Sequence, residues 1–430
     1  MRRVLLISPH FPPDTSAGAH RVRLLAPHLE RYGWEPTVVT VQPQGYEGRL
    51  DPDLERIVPS SLRVVRAPAW RADVTRRFGV GDLGLRAMAG LRRVATELLM
   101  RERFDALFIT LYPTYPALLG PALKRRFDIP FVLDYQDPWV GAWGRDVGPG
   151  GAPDIKSRMS RALAERLEPI AVRAADAITA VSERTYHDVL ARVSDARPRA
   201  CAAIPLGAEA SDFDALARAP RPNPIFDPAD GLTHICYVGT ALPHGSDIMR
   251  AVCGGAARLR ERQPSIYSRL RLHFVGTSNQ RDASSPLLVM PLAQAAGVAE
   301  IVTEHPGRLD YLDALNVQAT ASAILLLGSR EPHYTPSKVY PALLSGRPLI
   351  AVYHRESPVV NLLADQPGIA VMTFDDHHPV EASADGIASA LSAVVEGTLV
   401  RSRAVDDAVE PFTTVSLAGR LAAVFDAVSA

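Results

Sequence analysis

The sequence runs to 430 residues, 47% hydrophobic and 22% charged, a globular composition too long for one ordinary core, so two domains of roughly 200 residues each are expected. Its 47 Lys and Arg balance 47 Asp and Glu, which excludes a global field that would draw in nucleic acid or an anionic membrane and makes any basic surface local. Cys201, Cys236 and Cys253 form neither a disulfide framework nor a zinc pattern, and no run reaches the roughly eighteen apolar residues of a membrane span, so a cytoplasmic chain is expected.

The N-terminus, M-R-R-V-L-L-I-S-P-H, imitates a signal peptide, but its short apolar run meets P-H-F-P-P-D and reads as a buried first strand. Short apolar runs then alternate with longer amphipathic segments, the mark of βα units and a parallel sheet. The strands expected in the first half are Val4 to Ser8, Thr37 to Val41, Leu62 to Val65, Ala106 to Thr110, Phe131 to Tyr135, Ala177 to Val181 and Cys201 to Ile204. Helices are expected over Ala19 to Tyr32, Leu85 to Arg103, Tyr115 to Arg126, Lys156 to Ala174 and Glu183 to Val193. Pro205 to Asp230 is rich in proline and aspartate and reads as a linker. A second series follows at His234 to Gly239, Arg271 to Gly276, Ile301 to Thr303, Ala323 to Leu327, Leu349 to Val352 and Ile369 to Thr373, before a last helix over Val415 to Val428. The expected fold is α/β: two doubly wound, Rossmann-like domains with parallel sheets facing a central cleft, where ligands of such folds sit.

Several stretches can carry chemistry. The loop P-H-F-P-P-D-T-S-A-G after the first strand is no GxGxxG fingerprint, and no acidic residue closes the second strand, which disfavours a nicotinamide dehydrogenase. From Arg66 to Arg103 nine arginines stand beside four acids, interleaved with Trp70, Phe78, Leu85 and Met88; this is either a solvated helix face or a surface for an anionic membrane. In D-Y-Q-D-P-W, Asp137 follows a buried strand and is either a helix cap or a cleft carboxylate. The turns Y-V-G-T (Gly239, Thr240) and F-V-G-T (Gly276, Thr277) are either tight strand-to-helix turns or places where backbone approaches a phosphate. D-D-H-H, Asp375 to His378, has metal-ligand residue types without a spacing and reads as a solvated loop.

The sharpest signal is T-P-S-K-V-Y-P, Thr335 to Pro341. Only three residues of the chain are lysine, Lys124, Lys156 and Lys338, so arginine is its default cation. With Thr335 as N-cap and Pro336 opening a helix, Lys338 falls in the first turn, where a cation opposes the dipole unless an anion neutralises it. A compact ammonium aimed at a diphosphate is a specific use for lysine. Pro341 is expected to kink or delay that helix.

Taken together, V-L-L-I-S-P-H-F-P-P-D-T-S-A-G-A-H-R, D-I-P-F-V-L-D-Y-Q-D-P-W, A-D-A-I-T-A-V-S-E, I-P-L-G-A-E, Y-V-G-T and P-S-K-V-Y-P-A-L-L-S-G-R-P-L-I-A resemble, in order, the retaining glycosyltransferases of family 4, with the GT-B fold. The resemblance implies an acceptor-side domain over 1–205, a linker over 206–230, a nucleotide-sugar domain over 231–412 and a helix over 413–430 that crosses back to the first domain. It implies transfer of a sugar from a UDP- or GDP-linked donor to a saccharide or lipid-linked hydroxyl with retention, as in polysaccharide and glycoconjugate synthesis, with no metal or other cofactor. It places Gly18, Gly239, Thr240, His244, Ser337 and Lys338 at the donor, and His20, Asp137 and Trp139 on the acceptor side, with Asp137 and Lys338 closest to the chemistry. The departures are Pro341 in place of a ribose-binding glutamate, His333 at the earlier acidic position, and Leu206 in place of an asparagine. They keep two other readings open: a sugar-nucleotide epimerase on the same fold, and a binding protein without turnover.

Overall fold

The apolar runs fold as parallel strands buried on both faces. A computed structural model describes residues 1–141, 155–241, 245–278, 285–331, 336–401 and 409–429. In the first unit, residues 1–207 with 412–430, the strands are β1 (Arg2–Ile7), β2 (Trp34–Val41), β3 (Arg63–Ala67), β4 (Ala106–Thr110), β5 (Phe131–Tyr135), β6 (Ala177–Ala180) and β7 (Ala200–Ala203). They lie in the order β3-β2-β1-β4-β5-β6-β7. In the second unit, residues 208–411, they are β8 (Thr233–Val238), β9 (Leu270–Val275), β10 (Val302–His305), β11 (Ala323–Leu327), β12 (Leu349–His354) and β13 (Ile369–Phe374), in the order β10-β9-β8-β11-β12-β13. Each sheet reverses its winding once, between β1 and β4 in the first unit and between β8 and β11 in the second. Those reversals open a crevice at the strands' carboxyl ends, where doubly wound folds bind ligands.

Val4, Leu5, Leu6 and Ile7 are all but inaccessible, as are Ala323 to Leu327, because helices cover both faces of each sheet. Proline reshapes two expected helices. Ala19–Leu25 gives way to a 3-10 segment, Ala26–Tyr32, with Pro27 in its first turn, and Tyr115–Leu118, with Pro116 in its first turn, is 3-10 before the helix Leu119–Phe127. The stretch read as a linker carries a helix, Ala210–Arg218, because Phe213 and Leu216, three apart, bury one face and no proline falls between Pro205 and Pro220.

The last helix, Thr414–Ser429, belongs to the first unit. Leu417, Leu421 and Phe425 join Val4, Leu6 and Phe108 in one core cluster, the Phe425 ring meets Trp34 edge-on at 5.2 Å, and Trp34 Nε1 donates to Asp426 at 2.8 Å. No helix among the described residues is long and apolar enough to cross a membrane.

Candidate functional site

In the second unit the winding reversal brings Lys338, from the segment after β11, to the end of β8. Its Nζ donates to the Tyr237 hydroxyl at 2.5 Å and stands 4.0 Å from the centre of that ring. The Tyr237 hydroxyl donates onward to the Thr240 carbonyl at 2.7 Å. Gly239 lies between them with φ +145, and a Cβ there would come within 3.3 Å of Nζ, so only glycine lets backbone and ammonium share this space. Lys338 is half-buried and meets no carboxylate among the described residues. Burial without a counter-charge pulls its pKa down to about 7. A cation left in this state favours any anion that enters.

The helix here is Val339–Leu344, so Lys338 is its N-cap residue and not part of its first turn; Thr335 lies outside the described residues. Pro341 delays the helix without kinking it. At the third helical position its missing N–H is one the helix could not have used. Ser337 is exposed beside Lys338, and His244 lies outside the described residues.

The two Gly-Thr turns sit side by side but differ. Gly239 N–H is committed to the sheet, donating to Val275 O at 2.8 Å, so it is not the free donor the turn suggested; Thr240 N–H has no acceptor among the described residues and is the open one. Thr277 is structural. Its hydroxyl donates to Glu304 at 2.7 Å, and the same carboxylate accepts from the N–H groups of Leu288, Val289 and Met290, capping the helix Met290–Ala295. In D-D-H-H the Asp375 carboxylate accepts from the His377 and His378 N–H groups and pairs with Arg355, a closed turn that leaves Asp376 and His377 exposed. Further along the same sheet edge a pocket of about 150 Å³ is lined by Asp247, Arg330, His354, Asp375, Asp376 and Glu381. No cluster of three metal-ligating side chains occurs among the described residues.

In the first unit the loop after β1 meets the loop after β4. Gly18 is buried against Tyr112, whose ring would lie 2.2 Å from a Cβ, so a larger residue would displace that ring. His20 is half-buried on the helix that follows. The loop also holds a pair the sequence reading passed over. His10 Nδ1 meets Asp14 Oδ2 at 2.6 Å, with the His10 ring stacked 6.0 Å from Tyr46 and tilted against Tyr112 at 5.4 Å. His10 holds the Asp14 carboxyl below its usual range in spite of burial. The readable signal was a histidine two residues past a buried strand, four before an aspartate.

Asp137 is exposed at the carboxyl end of β5, and crowding by neighbouring protein raises its pKa. The buried Nε2 of the half-buried Gln136 beside it has no partner among the described residues. Trp139 does not face outward: it is 3% exposed and packs edge-on against Tyr115, which anchors the segment carrying Asp137. The other acid of D-Y-Q-D, Asp134, is wholly buried and clamps Arg21.

Residues 16–207 match the model of a glycosyl transferase 4-like domain, ending where the first unit's first segment ends. Across nearly their whole lengths both units follow solved structures. A UDP-forming α,α-trehalose-phosphate synthase from Burkholderia xenovorans superposes with a TM-score of 0.59 at 12% identity, with all of each chain covered. The fold is GT-B. Anabaena HepE, solved with UDP-glucose, follows at 0.52 and 14% identity over 98% of this chain and 95% of its own. A Listeria monocytogenes protein provisionally named as a UDP-N-acetylglucosamine 2-epimerase gives 0.51 and 12% identity over 97% and 94%. No curated protein matches the sequence.

Proposed function

We propose that this protein is a retaining glycosyltransferase whose second unit binds a nucleoside diphosphate sugar and whose first unit binds the hydroxyl-bearing acceptor, a saccharide or lipid-linked saccharide. The observation that carries the reading is Lys338: a half-buried amine without a carboxylate, beside the open Thr240 N–H, at the winding reversal of a GT-B sheet. Its charge balances a diphosphate. The glycosyl transferase 4-like match over the first unit and the UDP-glucose bound by HepE support this reading and favour UDP as the carrier.

In the proposed reaction the acceptor oxygen bonds to the anomeric carbon on the face from which the diphosphate departs. The bond from that carbon to phosphate breaks, and the hydroxyl proton passes to the departing phosphate oxygen. Lys338 stabilises the negative charge that grows on the diphosphate, and it needs no metal to do so. Asp137 orients the acceptor hydroxyl. The Pro341 side chain cannot accept from a ribose hydroxyl as a glutamate would, and the acids of the pocket along the same sheet edge, Asp376 and Glu381, can.

Thermal-shift titrations with UDP-, GDP- and dTDP-sugars test the donor. One of them should raise the melting temperature of the wild-type chain and leave Lys338→Ala unmoved; an equal response in the variant sinks the phosphate role. Product analysis then separates the classes. Anomerically retained glycoside that forms only when an acceptor is added supports transfer, whereas an inverted or hydrolysed sugar formed without one supports the epimerase reading that the Listeria structure keeps in view.

A further inference from the structure

The first unit carries an exposed face that the donor and acceptor reading does not use. Apolar side chains in this chain are otherwise mostly buried, yet Trp70 is 64% exposed, Phe78 81% and Met100 63%. They border one ridge. On the helix Leu83–Arg101 the residues Met88, Arg92, Thr96 and Met100 recur every fourth position and so share a stripe. Trp70 closes the near side of that stripe, forming a groove of about 550 Å³ with Leu85, Met88, Ala89 and Arg92. Arg126 closes the far side, its guanidinium 3.7 Å from the Met100 sulfur. Val74 and Phe78, four apart in the short helical turns Ala72–Thr75 and Arg76–Phe78, extend the apolar surface beyond Trp70.

The charge on this face is surplus. Arg71 pairs with Asp73, Arg76 with Glu47 and Arg93 with Glu97, but the exposed Arg77, Arg92 and Arg126 meet no carboxylate among the described residues. Over the whole chain the charges cancel, so this excess is local. A polyanion without apolar parts would use the arginines and leave Trp70 and Phe78 in water. A neutral apolar partner would do the reverse. An anionic bilayer uses both, since aromatic rings settle at the headgroup level while guanidinium groups neutralise phosphates around them.

We propose that this face, Trp70 to Phe78 with the exposed stripe of Leu83–Arg101 and the end of Leu119–Phe127, docks on a bilayer of anionic phospholipid. The chain then works as a peripheral protein with its first unit against the lipid. The inference stands apart from the donor reading, because vesicle binding needs no nucleotide and either can fail alone.

The test is co-flotation of the full chain with phosphatidylcholine vesicles, with and without phosphatidylglycerol, at low and high salt. The wild type is expected to float only with phosphatidylglycerol and to be released by salt. Arg92→Glu with Arg126→Glu should weaken binding at least about 25-fold, on the scale of fivefold for each basic residue lost. Trp70→Ser with Phe78→Ser should weaken it at low salt although no charge is changed, and thermal unfolding of each variant should match wild type because the altered side chains are exposed. In the wild type, brominated lipid should quench a part of the tryptophan fluorescence that Trp70→Phe removes. Binding that is absent, equal on neutral vesicles, or unmoved by both double variants overturns the proposal. Self-association that the Trp70 variant dissolves, with no vesicle binding, overturns it in favour of a protein interface.

Discussion

Each unit removes a cation from water near the carboxyl ends of its strands, and the two are satisfied in opposite ways. Arg21 in the first unit makes a forked pair with Asp134, Nε to Oδ2 at 2.8 Å and Nη2 to Oδ1 at 2.6 Å, and gives its remaining nitrogen to the carbonyls of Ile204 and Pro205. Thr179 donates to the same carboxylate. The guanidinium fork matches this geometry, and the network ties the first helix to β5, β6 and the end of β7. Lys338 in the second unit has one tyrosine hydroxyl and the face of its ring. A cation whose donors are all engaged is part of the scaffold; one held without a counter-charge costs stability until a ligand supplies the charge, which is how binding sites come to be the less stable parts of a fold.

The sharpest way to break this contrast is to remove each cation. Arg21→Met strands a buried carboxylate and should destabilise the first unit by about 3–5 kcal/mol. Arg21→Met with Asp134→Leu should recover much of that in denaturant titrations, which a pair valued only for its mutual attraction would not allow. Lys338→Met should go the other way: a melting temperature at or above wild type without nucleotide, and loss of the nucleotide-dependent rise.

The pH dependence of the second unit follows from the same lysine. Its folded pKa of about 7 lies below the roughly 10.4 of an unfolded chain, so between those values the unfolded state holds more protons and stability rises with pH. The lysine's penalty is therefore complete below about pH 7 and fades toward pH 10.4, and Lys338→Met should lack that slope. A diphosphate restores the charge. Calorimetry in buffers of different ionisation heat should show proton uptake on nucleotide binding, with affinity falling up to about tenfold per pH unit above 7. Affinity that is flat with pH would mean that Lys338 does not meet the phosphates. The smallest effect belongs to the neighbouring turn, where Glu304→Ala frees three N–H groups and should cost about 1–2 kcal/mol by thermal unfolding, with no change in the pH profile of binding.

The sheets were legible because buried parallel strands are short apolar runs between turn residues, and β4, β5 and β11 begin and end where their composition changes. Lys338 was legible as a rarity in an arginine-rich chain. Its partners were not: Tyr237 is 101 positions away, and only the strand order of the second sheet brings it near. In D-Y-Q-D the position at the end of the strand points to Asp137, yet Asp134, a charged residue inside F-V-L-D-Y, must have a partner if the strand is buried. Two identical-looking Gly-Thr turns could not be told apart, because the difference lies in Glu304, which reaches Thr277 only across the register of β9 and β10. The helix Ala210–Arg218 was hidden by its proline-rich surroundings, though the spacing of Phe213 and Leu216 was visible.

The helix Thr414–Ser429 also sets an order of assembly. The first unit is interrupted by the whole of the second, and the ribosome delivers its closing helix only after both sheets have emerged. A fragment covering 1–207, the stretch that contains the glycosyltransferase-like match, would leave Val4, Leu6, Trp34 and Phe108 without the Leu417, Leu421 and Phe425 side chains that cover them. In the growing chain the second unit can complete its core first, and the first unit, although synthesised earlier, is sealed last.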